Sequence, residues 1–330
     1  MMISHVISAV CRNTTTEGAD KFWQTCRATY IRMAIALAAL MTLAPAVLLG
    51  SLDAPNVITV KIPAGALQRA REHYDTAIRP HLESGLIAEL DRQPVPCTNL
   101  AHETHGNFFV MRAGSSTDVS KMGTSDLSWI SVDNMDTWHT FRSIFEETGV
   151  AEAVAPLVST HERIRLYSSF YVVRSRCAEP NWHTDWGAGV GTNAWTLLTP
   201  LEDYGTDDFQ LLYRNRAGED CQYRYATGEA ILFGSHFEHS TQPGFARGGA
   251  GAPHAFLCFT FGCDDLSFYE EHIAPTISGY QSRMLVAADG SVRLTQLGQY
   301  LEAGEQSTVQ KEFVARWHVE EKRKRSNGQQ

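Results

Sequence analysis

The sequence predicts a mainly β domain with supporting helices, its antiparallel sheet either closed or folded into a sandwich. Three observations lead there. Many short strand-like segments crowd between residues 163 and 264, separated by breaks containing Gly, Asp and Pro. Two stretches of helical periodicity precede them. The composition, with 43% apolar, 10% aromatic and 20% charged residues, suits a packed core and excludes a disordered or collagen-like chain.

Taken in chain order, residues 1–32 are mixed and polar, with Lys21, Arg27 and Arg32 leading into the uncharged run 33–52, MAIALAALMTLAPAVLLGSL. Its length of about twenty residues matches a membrane-crossing helix. Basic residues before it and Asp53 after it favour a single-pass anchor with the catalytic part on the non-cytoplasmic side. A cleaved signal, an organelle-targeting extension and a buried core helix are the other readings of this run.

Residues 53–160 read as a helical support region. Leu67, Ala70, Tyr74, Ala77, Leu82, Leu86 and Leu90 recur at helical steps, with Pro80 and Gly85 dividing the stretch. A second helix is expected between about 135 and 157, capped by Asp133 or Asp136, with Phe141, Ile144, Phe145 and Val150 on its apolar face. Residues 107–112 (NFFVMR) have strand character.

The β core spans 161–265. Its candidate strands are 163–173, 195–198, 209–213, 222–225, 229–233 and 255–261, and 266–330 forms a C-terminal extension of helix and turn. A net charge of -9 argues against nucleic acid as a partner, because the basic cluster at Lys322, Arg323, Lys324 and Arg325 is confined to the polar terminus. The seven cysteines lack the paired spacing of a zinc ribbon or redox dithiol.

The chemistry-bearing residues stand out within this core. Asn181-Trp182-His183-Thr184-Asp185-Trp186-Gly187 contains a His-x-Asp pair, and residues two apart on an extended strand point to one side, where an imidazole and a carboxylate can meet one ion. Some fifty residues on, GEAILFGSHFEHSTQP (228–243) offers a glycine turn, an apolar strand ending at Phe233, and His239. Two histidines and one carboxylate on one face of an octahedral ion leave positions open for substrates. His236 is the competing third ligand but follows Phe233 closely. His102-Glu103-Thr104-His105 is one residue short of a zinc-protease His-Glu-x-x-His and is set aside.

The order His183, Asp185, Gly228, Phe233, His239, Pro243 resembles that of the iron(II), 2-oxoglutarate-dependent dioxygenases, the broad group of phytanoyl-CoA and prolyl hydroxylases. The resemblance covers about 163–264, under a third of the chain. It implies a double-stranded β-helix, or jelly roll, with iron(II) on His183, Asp185 and His239 and 2-oxoglutarate as cosubstrate, hydroxylating a substrate that the sequence does not identify. In that family an Arg or Lys on a late strand binds the distant carboxylate of the cosubstrate; here that strand opens with His254, and Arg247 lies in the glycine-rich loop before it. Either could serve, and Tyr171 could point a phenol into the pocket. The alternative is a non-catalytic cupin-like protein that has lost cosubstrate binding. Zinc or manganese in the same three ligands would instead suit a hydrolase or isomerase.

Overall fold

The computed structural model of the chain describes residues 46–82, 97–102, 106–113, 125–159, 161–205, 207–246, 253–279 and 282–303. The fold is built on the strand β13 (His254–Gly262). Its sequence HAFLCFTFG is apolar nearly throughout, and every one of its residues is buried, as expected of a strand covered on both faces. On one side it pairs antiparallel with β6 (Arg165–Cys177), on the other with β7 (Ala194–Pro200). Outward from there, the sheet runs through β10 (Glu229–Phe233), β2 (Val57–Lys61) and β1 (Val47–Gly50) on the β7 side. On the β6 side it runs through β5 (Ser125–Val132), β4 (Gly106–Ala113) and β3 (Cys97–His102). The short β12 (Gly244–Phe245) also joins β6. A second antiparallel sheet has the order β11 (His239–Thr241), β8 (Leu211–Arg214), β9 (Asp220–Tyr223). The two sheets form an open jelly roll and do not close into one hydrogen-bonded barrel.

Alternation along the strands separates two faces. Ala230 and Leu232 of β10 belong to the large core beneath the helices, whereas Ile231 and Phe233 pack with Leu211, Tyr213 and Phe237 of the smaller sheet. On the helical side lie α1 (Ala64–Ala77) and α2 (Met135–Thr148). The first buries Ala66, Leu67, Ala70, His73, Tyr74 and Ala77, and the second buries Trp138, Phe141, Ile144 and Phe145, both at steps of three and four that make one apolar stripe. Phe145 meets Phe259 of β13 with ring centroids 5.3 Å apart.

The start of α2 differs from the sequence expectation. Asn134 is the cap, its side chain accepting from the Thr137 amide at 3.0 Å. Asp133 instead accepts from Arg283 at 2.9 Å, tying the C-terminal region to this corner. Gly149, at φ 64°, ends the helix in the left-handed conformation that glycine tolerates. A short helix α3 (Val150–Val154) follows. After β13 come a helical stretch at 266–277, the hairpin of β14 (Met284–Val286) and β15 (Val292–Leu294), and α4 (Gln296–Glu302).

Two expectations about the first 160 residues change. The region 53–160 carries four strands, β2 to β5, besides its helices. The proposed membrane span at 33–52 is overturned, because its end is not helical: Val47–Gly50 is a strand, with Val47 opposite Lys61 of β2. Residues 1–45 lie outside the described residues, and among the described ones no helix is long and apolar enough to cross a membrane. The anchor and the single-pass topology inferred from it are withdrawn.

Candidate metal centre

Two elements at the edge of the smaller sheet bring the predicted ligands together. His183 and His239 form an isolated antiparallel bridge, each amide donating to the other's carbonyl at 3.0 and 2.9 Å. The paired residues are hydrogen-bonded directly across from each other, so their side chains share a face. Asp185, two residues on, joins them. The turn before β11 is fixed from outside the sheet: Gly234 donates its amide to Asn56 O at 2.8 Å, and the Asn56 side-chain amide donates to Ser235 O at 2.8 Å. His236 sits exposed in this turn at φ 65° and stays out of the cluster.

One ligand atom from each of His183, Asp185 and His239 lies within 4.8 Å of the others. Asp185 Oδ1 is 3.5 Å from His183 Nε2 and 3.7 Å from His239 Nε2. Donors bound at right angles to one first-row ion at about 2.1 Å would be about 3 Å apart, so a small inward movement suffices. The far sides of both rings are pinned. His183 Nδ1 lies 2.7 Å from Asn181 O and His239 Nδ1 3.1 Å from Phe237 O, contacts that require Nδ1 to carry the hydrogen and leave the Nε2 lone pair facing the centre.

The carboxylate is oriented by residues the motif does not contain. The Thr196 hydroxyl on β7 donates to Asp185 Oδ2 at 3.0 Å and accepts from the indole Nε1 of buried Trp186 at 3.0 Å. Burial alone would raise the Asp185 pKa; the His183 contact, the neighbouring His239 and His183 and the Thr196 bond outweigh it and hold the group at about 2. Burial and the neighbouring His183 bring His239 down to about 4. At neutral pH Asp185 is therefore an anion and His239 a neutral imidazole, the protonation in which each can bind a divalent ion.

The cosubstrate residues fall out differently. Tyr171 is not in this pocket: it lies on the helical face of β6, its buried hydroxyl donating to Ala70 O at 3.1 Å and meeting His73 Nδ1 at 2.9 Å. Alternation on a strand buried on both sides turns it away from the ligands. Arg247 lies outside the described residues. His254 is on the inward face, stacked on Tyr204 at 3.8 Å and edge-on to Phe209 at 4.8 Å. Burial holds its pKa down at about 4 against the pull of Asp208 and Glu202, so it is a neutral ring at pH 7. A cleft of about 410 Å³ at that end of β13 is lined in part by His254, Phe256, Gln210 and Tyr225.

Two inward residues were missed from sequence. Arg174 of β6 is the direct cross-strand partner of His254 and so shares its face. Tyr225 packs against Phe256 at 4.9 Å, with its amide donating to Gln210 Oε1 at 2.7 Å. Burial raises its pKa well above the ordinary tyrosine value, and its phenol senses both the Arg174 cation and the Asp185 carboxylate.

The chain has distant likenesses among solved structures. The chain is similar to AviO1 from Streptomyces viridochromogenes Tue57, at 15% identity over 64% of this chain and 90% of that one, with a TM-score of 0.41. It is similar to SnoN, a non-heme alpha ketoglutarate dependent epimerase from nogalamycin biosynthesis, at 13% identity over 64% and 79%, TM-score 0.41. HygX from Streptomyces hygroscopicus, with nickel and 2-oxoglutarate bound, aligns at 10% identity over 64% and 83%, TM-score 0.38. No family profile matches the chain, and no curated protein does. What the site can do is read from its own side chains.

Proposed function

We propose that the protein is an iron(II)- and 2-oxoglutarate-dependent dioxygenase that hydroxylates a substrate entering beside the His183–Asp185–His239 cluster. One observation carries this: three donors on one face, two with Nδ1 tied to backbone carbonyls and the third oriented by Thr196. His183, Asp185 and His239 would hold the metal facially. Bound iron would supply the site at which dioxygen is reduced as the cosubstrate is oxidised to succinate and carbon dioxide. The protein's part is to fix the ligands, bind the cosubstrate in one orientation and exclude water.

The cation for the far carboxylate is assigned to Arg174, with Tyr225 as a hydrogen-bond donor. A guanidinium keeps its charge at all working pH values, whereas the buried imidazole of His254 does not. The family's late-strand position would thus be replaced from the neighbouring strand, across the pair Arg174–His254.

The test is succinate formation from 2-oxoglutarate by the full chain with iron(II), ascorbate and oxygen, next to Asp185→Ala, and an anaerobic titration of 2-oxoglutarate into metal-loaded protein, next to Arg174→Met. Turnover should fall at least ~100-fold in the first variant, and cosubstrate affinity about tenfold in the second. Full turnover by Asp185→Ala would overturn the ligand assignment. Metal binding with no affinity for 2-oxoglutarate in the unaltered protein would favour the cupin-like binding protein.

A further inference from the structure

The segment that carries two of the three proposed ligands is anchored to β7 at its Asp185 end, through Thr196, but has little to hold it against β11. Among the described residues, 181–185 belongs to no assigned strand; it meets β11 through the single bridge at His183–His239 and a bond from the Asn181 amide to Ser240 Oγ at 2.6 Å. A metal centre needs the spacing of these two elements fixed before the ion arrives, since ordering them afterwards would weaken binding.

One side chain spans both. Arg214 ends β8, beside Tyr213, the partner of His239. Its Nη1 donates to Glu238 Oε1 at 2.6 Å, its backbone amide donates to Glu238 O at 3.1 Å, and its Nε donates to Asp220 Oδ1 at 3.3 Å on β9. The guanidinium carbon also stands 4.7 Å from the centroid of the Trp182 ring. Trp182 immediately precedes His183, and Glu238 immediately precedes His239. Because successive side chains on extended backbone point to opposite faces, contacts to 182 and 238 lie on the side of the sheet away from the ligand atoms. Arg214 thus reaches from β8 across the start of β11 to the 181–185 segment beyond it.

We propose that Arg214 is a positioning residue for the metal centre, a clamp that sets the separation of the His183 and His239 segments through Trp182 and Glu238. It rests on the metal-centre assignment above. Its side chain is 40% exposed, so each contact is individually modest. The effect falls on ligand spacing more than on the fold, because the core clusters beneath the sheets do not include it. A lysine would keep a charge for Glu238 but lacks the planar group that stacks on Trp182 while bonding two carboxylates.

The experiment measures affinity for cobalt(II) by chelator competition on the metal-stripped full chain, with unfolding by urea of the same stripped proteins. The variants are Arg214→Met, Arg214→Lys, Trp182→Leu and the double Arg214→Met/Trp182→Leu. Arg214→Met should weaken cobalt binding roughly threefold to tenfold, with Arg214→Lys between it and the unaltered protein. The double variant should lose no more than the larger single loss, because both remove one contact. Affinity within twofold of the unaltered protein for Arg214→Met, or losses that multiply in the double variant, would overturn the clamp while leaving the metal centre standing. If the unaltered protein binds no cobalt, the metal-centre assignment fails and the clamp with it. A fall in metal-free stability matching the fall in affinity would mark Arg214 as merely structural and also overturn it.

Discussion

The two faces of the large sheet use the same strands for different ends. On β13, Ala255, Leu257, Phe259 and Phe261 point to the helices and join the main core. His254, Phe256, Cys258 and Thr260 point the other way, toward the smaller sheet and the ligand cluster. On β6 the same alternation puts Tyr167 and Tyr171 under the helices and Arg174 opposite His254. The outward polar groups are committed to the scaffold: Tyr167 donates to Cys263 O at 2.5 Å and Tyr171 to Ala70 O at 3.1 Å. On the inward face, Thr196 orients Asp185 and His254 faces the cleft. A change on the outward face should therefore register in stability and leave the ligand cluster alone, whereas a polar group on the inward face can tie stability to its own ionisation.

The largest effect is expected for Phe259→Ala. The ring is fully buried against Phe145, and its removal leaves a cavity worth about 3–5 kcal/mol. Urea unfolding of the metal-free chain should show that loss while cobalt affinity of the folded protein stays within about twofold. A parallel loss of metal affinity would break the division between the faces.

An intermediate effect is expected from His254, and it depends on pH. Burial holds its folded pKa at about 4, below the ordinary 6.5. The unfolded chain therefore binds the proton more readily, so the contribution of neutral His254 is fully present above pH 6.5 and is lost as pH falls toward 4. Between pH 7 and pH 5 this is about 2 kcal/mol. His254→Phe, which keeps a ring between Tyr204 and Phe209, should lose about that much less stability than the unaltered protein over the same interval. Equal losses would show that the ring is protonated or solvated in the folded state, and would reopen it as a carboxylate partner.

This division also explains what the sequence could tell. The strands at 195–198, 209–213, 222–225, 229–233 and 255–261 were legible from apolar and β-branched runs between turn residues, and the structure has β7, β8, β9, β10 and β13 at or within a few residues of them. Strand β1 was concealed inside a longer apolar run, and β5 (SDLSWISV) was diluted by serines. The triad was legible because one of its spacings is local and the other follows a glycine–strand–histidine pattern. The direction of Tyr171 was not, because a strand buried on both faces lacks the polar alternation that reveals which side a residue takes. Arg174, Thr196 and Arg214 were hidden for a further reason: each acquires its role from strand pairing, which brings together residues apart in sequence.

The smallest effect is the sharpest test of the two faces, because it changes a single atom. Tyr171→Phe removes a hydroxyl that donates to Ala70 O and lies 2.9 Å from His73 Nδ1. With its own hydrogen committed to Ala70, the hydroxyl accepts from the imidazole, so the variant strands one buried donor on His73 while Ala70 O keeps its place in the backbone of α1. The ring contacts with Tyr74 at 5.3 Å and Phe141 at 5.2 Å survive. The cost should be about 1–2 kcal/mol of stability, the range for an unsatisfied buried donor. If Tyr171 belongs wholly to the scaffold, the affinity of metal-loaded protein for 2-oxoglutarate is unchanged. A tenfold fall would mean that the helical face of β6 governs the cosubstrate pocket, and the separation drawn from strand alternation would no longer hold.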